Sequence, residues 1–369
     1  MAVGTDAEHV AGQLSSALSG EGLVVAFVFA DWRIDAAVLA GAMQRTLPIP
    51  VVGCTTVGVL STEPAATATA IGLYGDWLRV GIGVAAELPK SPLVRSRDAV
   101  HQAAAALGTD VERLDPTRHV AVTLVDGSCG VEEAFCIGSA VSAPQIRFIG
   151  GSAATEVPSN RRCFVLVNGE ALADAAVVVL LETQLPFDVV TSSHLVSTDV
   201  RTVVTAANGR AIDELDGRPA ADRFRELVAQ LGTKLDESRP SEYAFARFVD
   251  GMPYVRSMTH IEGTRIHLAS AVETGHVLRV MRPGDLIGVT RGALAASALR
   301  VGGKMGALLA FSCISRHWHA AARGIESELA KIYAEYPTAG FQTQGEQTGM
   351  LLVNHTLTAL AIGAPEEHR

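Results

Sequence analysis

Residues 51–60 read VVGCTTVGVL. Two β-branched residues open a buried strand, and a glycine, a cysteine and two threonines end it. Such an ending is either a tight turn closing a core strand or a polar pocket floor built at a strand end. Upstream, GLVVAFVFAD (22–31) reads as a strand and IDAAVLAGAMQRTLP (34–48) as an apolar-periodic helix. The strand after the turn is expected in WLRVGIGVAAEL (77–88).

The same order returns twice. RHVAVTLVDG (118–127) leads to VEEAFCIGSAVSAP (131–144), QIRFIGGSAATEV (145–157), RCFVLVNG (162–169) and ADAAVVVLLETQLP (173–186). Near the C-terminal end, GALLAFSCIS (306–315) leads to a helix in AARGIESELAKIYAEYP (321–337), then TAGFQTQGEQTG (338–349) and MLLVNHTLTALAIG (350–363). Superposed, Gly53, Gly150 and Gly340 coincide, as do Gly58 and Gly345. Asp31, Asp126 and Ser315 then end the three first strands. Shared punctuating glycines at this spacing argue for internal repetition of a β-α-β-β module. The expected fold is α/β or α+β, with mixed sheets flanked by helices in two associated domains.

Between the second and third modules the pattern changes. VRTVVTAANGRAIDEL (200–215) reads as a hairpin turning at Asn208-Gly209. DGRPAADRFRELVAQLG (216–232) reads as a helix with Pro219 in its first turn. Strands are expected in 243–258 and 264–281, and a helix in 284–302. The domain boundary is placed by the break at ETQLPFDVVTSSH, giving 20–190 and 191–365.

Composition narrows the function. The chain has 369 residues, 48% hydrophobic and 19% charged, enough to bury a sizeable core. A formal net charge of -9, with no basic run interleaved with aromatics, argues against nucleic-acid binding. The polar, acidic opening MAVGTDAEHVAGQL reads as no secretory leader, and AAVVVLL (175–181) is too short to span a bilayer. Five cysteines without a C-x-x-C pair favour a reducing compartment, hence a cytoplasmic protein with free thiols.

The set VVGCTTVGVLS, FIGGSAA, VTAANGRAIDELDGRPA, LLAFSCISR, AGFQTQGE and NHTLTAL resembles the FIST family of paired N- and C-terminal sensory domains, over roughly residues 20–365. That resemblance implies a sensory protein taking a small ligand, an amino acid or related metabolite. It also implies signalling through a separate histidine kinase or cyclic-dinucleotide enzyme, and it is compatible with a homo-oligomer. Some FIST-like proteins hold haem as nitric-oxide sensors, so haem is the alternative cofactor reading, with His317, His319, His267, His276 and His355 as axial candidates. GGSAATEV lacks the acidic residue usual in the family's second turn, and GEQTG departs from its third. Both changes are consistent with a ligand unlike the family's usual one.

The ligand-binding candidates follow from the turns. Gly53, Cys54, Thr55 and Thr56 match Gly150, Gly151 and Ser152, and in the third module Gly340 and Gln342. Glycines let backbone amides approach a ligand while small polar groups bond it; in the alternative reading they only turn the chain and cap backbone. SCISRHWH adds Cys313 at a strand end and Arg316 just past it, in a loop. Arg316 suits a carboxylate or phosphate because its fork donates two parallel bonds, unless it is a plain surface arginine. Glu346 would receive a ligand amine or orient Arg316. Arg256 is a second anion candidate, Glu326 and Glu328 read as helix-surface charges, and His355, beside Asn354, as a structural imidazole. An enzyme with Cys54 as nucleophile is the remaining alternative, although G-x-S-x-G, H-E-x-x-H and P-loop motifs are lacking.

Overall fold

The computed structural model describes residues 1–63, 65–156, 162–236, 239, 242–249 and 251–365. The chain opens with β1 (Ala2–Val3) and α1 (Ala7–Leu18). The first module is β2 (Leu23–Asp31), α2 (Ala36–Thr46), β3 (Val51–Thr56) and β4 (Ala66–Tyr74), followed by β5 (Leu78–Ala85) and α3 (Pro92–Ala106). The second is β6 (His119–Val125), α4 (Glu132–Ser142), β7 (Arg147–Ser152), β8 (Val165–Val167), β9 (Glu170–Leu172) and β10 (Ala176–Thr183). After β11 (Phe187–Ser193) come β12 (Leu195–Asn208), β13 (Ala211–Leu215), β14 (Arg218–Pro219) and α5 (Ala220–Ala229). β15 (Ala244–Val249), β16 (Met252–Glu262), β17 (Arg265–Leu268), β18 (Val277–Pro283) and α6 (Leu286–Arg300) lead into the third module. That module is β19 (Met305–Cys313), α7 (Ile314–Arg323), α8 (Glu326–Ala334), β20 (Thr338–Thr343), β21 (Glu346–Thr348), β22 (Leu351–Val353) and β23 (Thr356–Gly363).

The three modules share one strand arrangement. β2 pairs in parallel with β3 and antiparallel with β4; β6 does so with β7 and β10, and β19 with β20 and β23. Their first strands are near-continuous apolar runs because both faces are covered. The three glycines sit at one register position, opposite Val28, Thr123 and Ala310. A Cβ there would come 1.7, 1.8 and 2.1 Å from the carbonyl oxygens of those same residues. No other residue fits so close an approach of two backbones.

Each module also lends strands to its neighbour. β8 and β9, from the second module, extend the first sheet beside β3, and β21 and β22, from the third, extend the second beside β7. Val59 of the first module bridges to Phe341 on β20, closing the circle. On the opposite edges β5 joins β10, β11 joins β23 and β1 joins β4. A shared core, with Phe29, Phe311 and Phe341 at its centre, fills the middle.

Three expectations need correcting. The strand that completes the first module is β4, ATATAIGLY, and 77–88 instead supplies β5 to the second sheet. Residues 321–337 do not form one helix, since Gly324, with φ of 66°, ends α7 before α8 begins. Counting three residues on from Val28, Thr123 and Ala310 gives Asp31, Asp126 and Cys313, so Cys313 rather than Ser315 occupies the third place.

Residues 195–283 form a second body. Its sheet runs β12-β18-β15-β16-β17-β13-β14, with a hairpin turning at Gly209 and α5 packed through Phe224, Leu227 and Val228. Among the described residues, no helix is long and apolar enough to cross a membrane.

Candidate functional site

The three turns meet, and their polar groups are spent on one another. The amides of Thr55, Ser152 and Gln342 occupy equivalent places and donate to the carbonyls of Phe164, Gly345 and Gly58 at 2.9, 2.8 and 2.8 Å. Thr55 Oγ1 accepts from the Phe164 amide at 2.9 Å, and Thr56 Oγ1 donates to the Gln342 carbonyl at 2.8 Å. Gly53, Cys54, Thr55, Thr56, Gly150, Gly151, Ser152 and Gly340 are all buried in this ring. Only Ser152 Oγ is left without a partner among the enclosed hydroxyls of the turns. Gln342 differs, because its side chain reaches a surface trench.

That trench lies outside the carboxyl ends of β2, β3, β19 and β20, where open α/β sheets place their ligands. One lobe, about 450 Å³, is lined by Asp31, Arg33, Glu156, His317, Trp318 and Gln342 among others. A second lobe of about 600 Å³ shares Asp31, Arg33, His317 and Gln342 with it and runs on to Glu326 and Lys331. Asp31 is already committed, receiving Arg33 Nε and Nη2 at 2.8 Å each.

The densest chemistry lies on the inner side of α7. SCISRHWH is a strand end and a helix, not a loop, because Cys313 ends β19 and residues 314–323 turn helically. The helix faces two ways: His317 and Trp318 line the trench, while Ser315 and Arg316 are buried. Arg316 is 0% exposed. Its Nε donates to Ser312 Oγ at 3.2 Å and its Nη2 to Thr290 Oγ1 at 2.7 Å, while Nη1 has no partner. It is therefore not a surface arginine.

Glu346 is equally enclosed. Thr343 Oγ1 donates to its Oε1 and the Thr356 amide to its Oε2 at 3.2 Å. Burial pushes its pKa up to about 8, against the weaker pull of those bonds and of Arg316. Cys313 is pushed to about 12 by burial and by Glu346 beside it. His355 closes the group with φ of 56°, left-handed backbone that a histidine adopts only at a cost. Its Nε2 lies 3.0 Å from Ser257 Oγ, its Nδ1 has no partner, and burial lowers its pKa to about 3. The His194 ring lies 4.7 Å from that of His319 and 5.9 Å from that of His355, tilted by 43° to each. Burial, then Arg316, lowers its pKa to about 2, and its Nδ1 too is unpartnered.

Of the sequence candidates, the structure therefore gathers Cys313, Arg316, Glu346, His355 and His319. It puts Gln342 and His317 at the trench and the other turn residues in the ring. Arg256 lies elsewhere, 3.9 Å from Glu133, and Glu326 and Glu328 are exposed on α8. His194, Thr290 and Ser257 were missed; they come from three separate segments, and no spacing links them to Arg316.

Two alternatives fit poorly. His267 stacks on His260 and contacts Glu262, His276 sits by Glu273, and His319 and His355 are packed among polar groups. Of these, His317 lines the trench, whose first lobe carries Asp31, Arg33 and Glu156 and whose second sets Val59, Leu60, Leu329 and Tyr333 among Asp31, Arg33, Glu63, Glu326 and Lys331, so neither lobe is the apolar slab a haem needs. The residues present do not fit a haem. Among the described residues, no group of three or more histidine, cysteine or acidic side chains is placed to hold a metal ion. Burial raises the Cys54 thiol pKa well above its usual value, opposite to what a thiolate nucleophile requires.

The FIST N domain family model matches residues 23–218 and the FIST C domain model residues 220–348. An uncharacterized protein of Methanocaldococcus jannaschii is 36% identical over 90 residues, which span 24% of this chain and 17% of that protein. The crystal structure of cyanuric acid hydrolase from A. caulinodans aligns over 98% of this chain and 97% of its own, at 11% identity and a TM-score of 0.41. A likeness that loose says nothing about activity.

Proposed function

The chain belongs to the FIST family, and from that premise we propose that it senses an amino acid or a related carboxylate metabolite held against Arg316. FIST domains are associated with sensory signalling and small-ligand binding. The observation that carries the reading is Arg316 itself. A guanidinium in so dry a place is costly unless an anion joins it. Here it has two hydroxyl partners and an idle Nη1, with no carboxylate within ion-pair distance among the described residues.

Glu346 supplies the complement. Burial favours its neutral form, and a ligand ammonium beside it would return it to carboxylate while Arg316 takes the ligand's acid. An α-amino acid carries both groups on one carbon. In this reading Cys313 packs beneath the ligand, and the ring of Gly53, Cys54, Thr55, Thr56, Gly150, Gly151, Ser152 and Gly340 holds the modules together. Internal repetition accounts for the shared register of the glycines. The proposed division of the chain into 20–190 and 191–365 falls within β11, which pairs along its length with β23.

Signalling passes to a separate partner, a histidine kinase or cyclic-dinucleotide enzyme in the cytoplasm. Thermal-shift measurements across amino acids and small carboxylates test the ligand reading, because a ligand that binds only the native state raises its melting temperature. A shift in the native protein that vanishes in Arg316→Gln is expected. A shift of equal size in both proteins would place the ligand elsewhere.

A further inference from the structure

The body formed by residues 195–283 covers the Arg316 site, and a row of polar bonds crosses the seam. Ser257 Oγ lies 3.2 Å from Ser315 Oγ and 3.0 Å from His355 Nε2. Ser270 Oγ donates to Asn354 Oδ1 at 2.8 Å. Farther out, Arg210 Nη2 donates to the buried Glu132 Oε2 at 2.7 Å, the Ala271 amide to Glu133 at 3.1 Å, and Arg323 Nη2 to Glu242 at 2.8 Å. None of the apolar clusters among the described residues joins this body to the three modules; it is packed on its own two clusters.

Two short links connect it to the rest. One runs through His194, between β11 and β12; the other through Gly284, between β18 and α6. The Gly284 amide donates to the His194 carbonyl at 2.9 Å, and a Cβ on Gly284 would stand 2.7 Å from that oxygen. The links thus run side by side, and the His194 ring enters the Arg316 cluster.

We infer that residues 195–283 are a hinged lid, turning about His194 and Gly284, whose opening admits the ligand to Arg316. The inference rests on the proposed ligand site and adds its regulation. Separately packed bodies joined by polar seams move relative to one another by default, and two adjacent links make a hinge. Capture and signal then become one motion, because a ligand at Arg316 lies against the hinge histidine. Glu132 with Arg210 is the latch.

The lid can be tested without any ligand. Cys313, buried one hydrogen bond from the seam, should react with N-ethylmaleimide only through opening, whereas Cys54 lies in the shared core. Peptide mass mapping at pH 8 reads both rates. Glu132→Gln, which removes a charge-assisted bond from the closed state, should speed Cys313 labelling about tenfold or more while leaving Cys54 unchanged. Glu133→Gln should act in the same direction, so the inference does not hang on one variant. Unchanged Cys313 labelling in both variants, or a parallel rise at Cys54, would overturn the lid. With the latch response present, a cysteine-free mixture of amino acids should slow Cys313 labelling relative to Cys54 in the native protein. Failure of that arm alone overturns the ligand class and leaves the lid standing.

Discussion

Arg316 donates to the Thr290 hydroxyl at 2.7 Å, while Glu346, just as deeply enclosed, takes its bonds from Thr343 and the Thr356 amide. A buried cation and a carboxyl group that burial holds toward its neutral form thus share one cluster without pairing. The arrangement sacrifices stability, and the protein's response to substitution should show it.

Arg316→Met keeps the length of the side chain and removes the buried charge. The ligand-free protein should melt no lower than wild type and up to about 1 kcal/mol more stably, because an unpaired buried cation costs more than it returns. Denaturant titration checks this. A loss of several kcal/mol would mean that the guanidinium is a structural keystone.

The cluster should also shape stability against pH. His194 and His355 have pKa values lowered to about 2 and about 3, so below pH 6.5 the unfolded chain takes up protons that the folded one refuses, and stability falls with pH. Glu346, raised to about 8, works the other way: its contribution is full below its unfolded pKa and is lost as pH rises toward 8. Each group changes stability by up to ~1.4 kcal/mol per pH unit within its window. Urea midpoints between pH 5 and 8.5 should therefore show a shallower acid limb in His194→Phe and a shallower alkaline limb in Glu346→Gln. Parallel curves for wild type and variants would remove these residues from the account.

The three glycines should behave alike. Gly53→Ala, Gly150→Ala and Gly340→Ala each drive a methyl into a strand carbonyl, and each should cost roughly 3 kcal/mol or more, or prevent folding. Gly12→Ala, in α1 with open space around it, should stabilise by ~0.5–1 kcal/mol. Tolerance of alanine at any of the three would break the equivalence of the modules.

Those glycines are also why so much of the fold could be read in the sequence. Where two backbones touch, only one residue type serves, so Gly53, Gly150 and Gly340 mark the same place in each module. The circular exchange of strands was not legible, because β8 reaches β3, and β21 reaches β7, across more than a hundred residues. β4 was passed over because its alternating alanines and threonines do not look like a core strand, although it lies between β1 and β2. Arg316 and Glu346 could be named from residue chemistry and the family resemblance. His194 could not: it stands alone in a link, and only folding brings it within 4.7 Å of the His319 ring centroid.

The most direct test of the central claim is an experimental structure of the protein as purified from cells grown in rich medium, with whatever small molecule it retains. The account predicts a carboxylate within hydrogen-bond distance of Arg316 Nη1 and an amine facing Glu346. A retained metabolite lying instead in the trench between Asp31 and Trp318, with Arg316 untouched, would contradict it.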